Sequence, residues 1–343
     1  MNAPGPPRPI GIAVLGAGRI GRLHAELVAR RVPGTRLVGV ADLVAGLAAK
    51  VAVPLGARAA SPEELLSDDE VDAVAVCSST DTHVALVVEA ARAGKAVFCE
   101  KPIAHDLPGV DRALDAVRSA GVSLMVGFNR RFDPAHAAVR AAVADGEVGS
   151  PHLVRITSRD PEPPPASYAL ASGGIFLDMM IHDFDMARFV TGSEVSEVTA
   201  VGAVRIVPEL AEVGDVDTAI VTLRHADGCI TAIDNSRRAV YGYDQRVEVL
   251  GERGLAASEN PHEHSALRRD AAGTRLAPLP YFFLERYATS YARQWDAFAE
   301  SLRSGAEPPT TGGDGRAALV IALAARRSLL EHRTVATSEI EAR

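Results

Sequence analysis

The most constraining stretch of this chain is Gly16-Ala17-Gly18-Arg19-Ile20-Gly21, which closes a short apolar run over residues 10–15 and opens a stretch of helical spacing over 19–31. Three glycines so spaced have separate tasks: the first makes a tight turn, the second lets backbone approach a pyrophosphate, and the third lets the helix pack on the strand. The anion then sits at a helix N-terminus, where unpaired backbone donors and the dipole favour negative charge. Taken alone the pattern also fits a purely structural strand-to-helix turn. Its context decides, because Asp42 follows at the end of a second β-branched run over 36–41, near the spacing of roughly 20 residues found in dinucleotide sites. Asp42 would accept hydrogen bonds from both ribose hydroxyls of an adenosine half, and its charge would repel a 2'-phosphate. Neither Leu43 nor Val44 offers a cation for such a phosphate, so NAD is favoured over NADP. Capping of the next helix is a second role open to Asp42.

The alternation continues with helical stretches over 44–53, 62–66, 80–93 and 107–120, and strands over 71–76, 96–99 and 123–127. Strand and helix in strict alternation predict a parallel sheet covered on both faces. After Gly127 the rhythm changes. Strands are expected over 152–159, 195–204, 216–223, 230–237 and 245–250, with Ala226-Asp227-Gly228 as a hairpin turn. Helices over 135–144, 175–190, 284–303 and 316–332 would cover one face of a mostly antiparallel sheet. The expectation is an α/β domain over 1–127 and an α+β domain over 128–343, with the last helices able to pack back on the first domain. A chain of 343 residues suits two domains better than one. Residues 161–165, rich in proline, form a stiff loop.

The formal net charge of −8 argues against a nucleic-acid partner, which normally meets a basic face. Three cysteines, Cys77, Cys99 and Cys229, show no paired spacing and suggest neither a disulfide framework nor a zinc module. Residues 1–9 read as a frayed, proline-rich leader without a signal-peptide core, and the apolar stretch 317–325 is too short to span a bilayer. A cytoplasmic protein without a membrane partner is expected.

Two groups of residues carry chemistry. Cys77-Ser78-Ser79-Thr80-Asp81-Thr82-His83 and Glu100-Lys101-Pro102 each follow a strand end, the carboxyl edge where ligands bind in such sheets. Ser78, Ser79, Thr80 and His83 would border the nicotinamide, although Ser79 or Thr80 can equally cap the next helix. Proline restricts the residue before it, so Lys101 would be fixed, and its ammonium could stabilise a developing alkoxide. Farther on, Asp178 and His182 stand four apart and share one helix face. Oxidising a secondary alcohol needs a base for the hydroxyl proton, and histidine has a suitable pKa. His182 is the candidate base, with Asp178 orienting it or binding an adjacent hydroxyl. An ordinary surface pair is the bland alternative. A metal site is disfavoured, because a third ligand would have to come from Asp185 or farther away and no His-Glu-x-x-His pattern occurs.

With these motifs the chain resembles the family of glucose-fructose oxidoreductase, inositol dehydrogenase and rhizopine catabolism proteins, over nearly its whole length. Gly127-Phe128-Asn129-Arg130-Arg131-Phe132-Asp133, Ser172-Gly173-Gly174-Ile175-Phe176, His182-Asp183-Phe184-Asp185-Met186-Ala187-Arg188 and Tyr241-Gly242-Tyr243-Asp244-Gln245-Arg246 are similar to its bacterial inositol dehydrogenases. The resemblance implies a Rossmann domain joined to an α+β domain that mediates tetramers, and oxidation of one ring hydroxyl of an inositol by NAD+. It implies that Lys101, Asp178 and His182 are catalytic. The glycine turn with Arg19 and Ile20, then Asp42, Ser78, Ser79, Thr80, His83, Glu100 and Lys101, would serve the cofactor. Lys101, Arg130, Asp160, Asp178, His182 and Tyr241 would serve a small polyol. Two departures bear on substrate choice: Ser158-Arg159-Asp160 stands where some relatives carry a histidine and an asparagine, and Met179 where some carry a threonine.

Overall fold

The computed structural model describes residues 8–165, 168 and 172–342, so most of the expected leader, residues 1–7, lies outside the described residues. The chain divides into two units, one of Met1–Phe128 with Tyr291–Arg316 and one of Asn129–Ser290 with Ala317–Arg343.

In the first unit, strands β1 (Ile10–Leu15), β2 (Thr35–Ala41), β3 (Arg58–Ala59), β4 (Ala73–Val76), β5 (Ala96–Cys99) and β6 (Leu124–Val126) form one sheet of order β3-β2-β1-β4-β5-β6. Every pairing in it is parallel. Helices α1 (Arg19–Arg30), α2 (Ala45–Ala52), α3 (Pro62–Leu66), α4 (Thr80–Arg92) and α5 (Leu107–Ala120) alternate with the strands. The central strands are buried on both faces, so β4 reads Ala-Val-Ala-Val with all four residues inside. The strand order reverses between β1 and β4, and ligands of such sheets bind beyond the carboxyl ends at that switch.

The expected helix over 284–303 is interrupted, forming Phe283–Arg286 and Ala288–Ser304. From Tyr291 onward its residues belong to the first unit rather than covering the second sheet. The cause is an aromatic cluster: the Trp295 ring stacks on Phe98 of β5 at 4.9 Å, and Phe298 meets both edge-on.

The second unit holds helix α6 (Pro134–Ala144) and strands β7 (Pro151–Arg159), β8 (Val195–Ala203), β9 (Thr218–His225), β10 (Ile230–Ser236), β11 (Asp244–Gly251), β12 (Leu255–Ser258) and β15 (Val335–Ala336) in a sheet of order β12-β11-β7-β10-β9-β8-β15. Its pairs are antiparallel except β7 with β10. A separate exposed hairpin joins β13 (Leu267–Asp270) to β14 (Gly273–Leu276). β9 alternates strictly, burying Ala219, Val221, Leu223 and His225 while its other residues face out. On that outer face Val201 pairs with Ile220, and they are 69% and 58% exposed.

Candidate active site

The glycine turn connects β1 to α1, and its three glycines differ. Gly16 has φ +107°, where side chains are strained, and a Cβ there would stand 2.5 Å from the Ser78 amide. A Cβ on Gly21 would lie 1.9 Å from the Gly16 carbonyl oxygen. The fold itself therefore requires both. Gly18 is different: it is exposed, it precedes the first helical residue, and a Cβ there would meet nothing within 4 Å. Nothing in the protein needs glycine at that position, whereas the close approach of a pyrophosphate does. Arg19 is exposed and Ile20 half-buried beside it.

Asp42, just past β2, ties itself to this turn. Its Oδ2 accepts from the Ala17 amide at 2.7 Å and its Oδ1 from the Val44 amide at 2.8 Å. The cap position of α2 falls on Val44 rather than on Asp42. Each carboxylate oxygen keeps a further lone pair, so the ribose role fits the geometry.

At the carboxyl ends of β4 and β5 the structure separates the sequence candidates. Ser79 is the cap residue of α4, though its side chain makes no capping bond, and Thr80 opens the helix. Ser78 Oγ shares a hydrogen bond with Thr82 at 2.6 Å. His83 is buried, with Nδ1 at 2.8 Å from the Pro102 carbonyl and Nε2 at 3.1 Å from that of Ser78. Both ring nitrogens face backbone carbonyls, so His83 lies as a brace between two loops. Burial pushes its pKa down, and the neutral ring, with one N–H, donates to one of the two carbonyls. Glu100 is likewise buried; its Oε1 contacts His24 at 2.8 Å and its Oε2 accepts from the Lys101 amide at 3.3 Å. Both of its oxygens thus meet protein groups. Lys101 itself is half-buried at the strand end, and the peptide joining it to Pro102 is cis.

In the second unit, Asp178 and His182 do not share one continuous α-helix. Asp178 lies in a π-helical turn, Ile175–Met179, closed by the Met180 amide donating to the Ile175 carbonyl at 2.9 Å, and His182 lies in the first turn of the helix Ile181–Thr191. The Gly173-Gly174 pair makes this entry possible, with φ of +89° and +83°. A Cβ on Gly174 would stand 2.7 Å from Asp215, whose carboxylate accepts from the Ile175 amide at 3.0 Å. π-turns recur at functional sites because they re-aim side chains. Asp178 and His182 are both half-buried; Tyr168 donates to Asp178 Oδ1 at 3.2 Å, and Arg237 lies 3.6 Å from its Oδ2. Arg237, fully buried, is a neighbour the sequence gave no reason to single out.

Asp160, just beyond β7, is half-buried near Arg237, Arg130, Asp178 and Asp183. Burial pushes its carboxyl up to about 7, with Arg237 and Arg130 opposing and Asp178 and Asp183 adding to the rise. A carboxyl poised near neutrality can accept from or donate to a hydroxyl.

Two expected substrate residues have other duties. Arg130 is buried, donating to Asp183 at 2.6 Å and to Ser158 at 3.2 Å, while Asp183 also accepts from Asn235 at 2.7 Å. A buried guanidinium paired in this way supports the fold through Nη1. Tyr241 stays 52% exposed, but its hydroxyl accepts from Arg159 at 2.8 Å and donates to Asp244 at 2.7 Å. Its phenol therefore organises the start of β11.

Comparison with known proteins finds two family matches. Residues 10–128 match the oxidoreductase family with an NAD-binding Rossmann fold, and residues 136–257 match the GFO/IDH/MocA C-terminal domain. The chain is 47% identical over 331 residues to myo-inositol 2-dehydrogenase of Thermotoga maritima, covering 96% of this chain and 99% of that one. It is 46% identical to inositol 2-dehydrogenase of Rhizobium meliloti, covering 94% and 97%. The crystal structure of a probable dehydrogenase from Thermotoga maritima superposes with a TM-score of 0.94 at 46% identity, covering 96% of this chain and all of that one.

Proposed function

The chain belongs to the GFO/IDH/MocA oxidoreductase family with an NAD-binding Rossmann fold, and from that premise we propose that it oxidises a secondary ring hydroxyl of an inositol, myo-inositol to 2-keto-myo-inositol. The supporting observation is that one chain, alike over nearly its full length to relatives named for inositol, carries a half-buried Lys101 at a strand end and half-buried Asp178 and His182 at a π-turn.

When bound, NAD+ supplies the hydride acceptor. Gly16, Gly18 and Gly21 with Arg19 and Ile20 frame its pyrophosphate, Asp42 its adenosine ribose, and Ser78, Ser79 and Thr80 the loop at the end of β4. His182 takes the hydroxyl proton as hydride leaves the same carbon, and Asp178 binds or orients beside it. The Lys101 ammonium stabilises the alkoxide charge that develops on the oxygen. Asp160 contributes a hydroxyl contact that depends on its protonation. Neutral polyols need no strongly basic surface to attract them, which suits a chain of net charge −8.

The protein works in the cytoplasm as a homotetramer. No helix among the described residues is long and apolar enough to cross a membrane, and the outward Val201 and Ile220 pair puts two exposed apolar side chains on a mixed sheet face for a second copy to cover. Val201→Glu should shift the species seen by light scattering to a smaller one; an unchanged mass would remove that face from the assembly.

NADH absorbance across a panel of myo-inositol, scyllo-inositol, an amino-cyclitol and glucose tests the function. Turnover is expected to be highest with myo-inositol and to fall at least about a hundredfold in Lys101→Met. Absence of turnover with any inositol at alkaline pH would overturn the reading, and preference for scyllo-inositol would correct the substrate.

A further inference from the structure

We propose that Lys101 is held in its working position by a clamp of two buried histidines, His24 and His83, with Trp295 setting the first of them; this rests on the reading of Lys101 as catalytic. On one side runs a directed chain of hydrogen bonds. The Trp295 indole N–H donates to His24 Nδ1 at 2.8 Å, and His24 Nε2 lies 2.8 Å from Glu100 Oε1. An indole can only donate, so Nδ1 of His24 is the acceptor and the ring proton sits on Nε2, aimed at the carboxylate. Glu100 passes the constraint on, because its Oε2 accepts from the Lys101 amide at 3.3 Å. Gly127 on the neighbouring strand end leaves room for that carboxylate, since a Cβ there would lie 3.0 Å from it.

On the other side, His83 reaches the carbonyl of Pro102 at 2.8 Å and that of Ser78 at 3.1 Å. The peptide before Lys101 is therefore gripped through Glu100, and the one after Pro102 through His83. Lysine carries its charge on a flexible four-carbon stem, so a fixed backbone is the means by which the protein can limit where the ammonium goes. Burying imidazole in a core is costly unless its nitrogens are paired; both nitrogens of His24 have partners, and the protonated nitrogen of His83 has a backbone carbonyl to donate to. His24 and His83 act through Lys101 and are positioning residues.

Trp295→Phe tests this, since a ring still stacks on Phe98 while the donor to His24 is lost, the smaller ring adding a cavity cost that falls on stability. In the full-length protein the expected result is a drop of about five- to tenfold in kcat for myo-inositol, the rate equivalent of one hydrogen bond. The KM for NAD should stay within about twofold. His24→Gln, which offers one acceptor and one donor, should keep more of the rate than His24→Leu. Combined with Lys101→Met, Trp295→Phe should cost nothing further, because the group it positions is gone. Fully additive effects, or a Trp295→Phe enzyme that loses thermal stability while keeping kcat and its pH profile, would overturn the clamp alone. A Lys101→Met enzyme with wild-type turnover would overturn the catalytic reading of Lys101 and the clamp with it.

Discussion

In the first unit the groups that define the cofactor site are held by backbone: a carbonyl 1.9 Å from where a Gly21 side chain would begin, and two amides donating to Asp42. In the second unit they are held by side-chain charge, with Arg130 on Asp183, Arg131 on Asp185, Arg286 on Asp133 and Arg237 near Asp178. The contrast follows from the ligands proposed for each. A pyrophosphate is recognised by N–H groups of a turn and tolerates no intruding Cβ. A neutral polyol needs donors and acceptors on side chains, and these stay aimed only if buried charges beneath them are paired. Space should therefore govern the first unit, and protonation the second.

The largest effect that tests this contrast is at Arg130. Arg130→Met leaves Asp183 buried without its guanidinium and should cost about 3–5 kcal/mol in denaturant unfolding; a loss below about 1 kcal/mol would mean that the pair carries no load. Next come two glycines to which the sequence pattern assigns different tasks. Gly21→Ala should destabilise the fold by about 2 kcal/mol, within the range for overpacking. Gly18→Ala should leave the unfolding midpoint unchanged and weaken NAD binding about tenfold, or about 1.4 kcal/mol, by calorimetry. Equal effects on stability would erase the distinction between them.

A smaller effect concerns pH. Asp160 and Asp183 are raised by burial to about 7 and about 6, above an unfolded value of about 3.9. Between those values the folded state binds protons that the unfolded state has released, so these two groups favour the fold fully below about pH 4 and progressively less as pH rises to about 7. Asp160→Asn should therefore gain stability relative to the parent as pH climbs through that window, and a parallel pair of curves would contradict the assignment. Smallest of all is Tyr241→Phe, expected to change the polyol KM less than about threefold because the hydroxyl is committed to Arg159 and Asp244. A larger rise would return Tyr241 to the substrate.

How much of this was legible in the sequence follows the same division. The glycine turn, Asp42 and Lys101 were readable because each is a local pattern of turn and strand end. Asp178 and His182 were readable as a pair, but the π-turn was not, since five residues of 4.4-residue periodicity look like an α-helix. The pairing of Arg130 with Asp183 was not readable because the two are 53 positions apart, and composition carries no sign of a long-range ion pair. The helix bearing Trp295 was readable as a helix, but its expected place on the second sheet gave no sign that residues from Tyr291 onward join the first unit. His24 left a signal that went unread: it falls on the buried stripe of α1 with Gly21, Ala25 and Val28, where a histidine must find partners.

The central claim is that hydride passes from a ring carbon of inositol to NAD. Myo-inositol carrying deuterium at the oxidised carbon, incubated with NAD+ and the enzyme, should yield NADH with deuterium on the nicotinamide ring by mass spectrometry. Reduced cofactor without the label, while the inositol is converted to its ketone, would contradict the account.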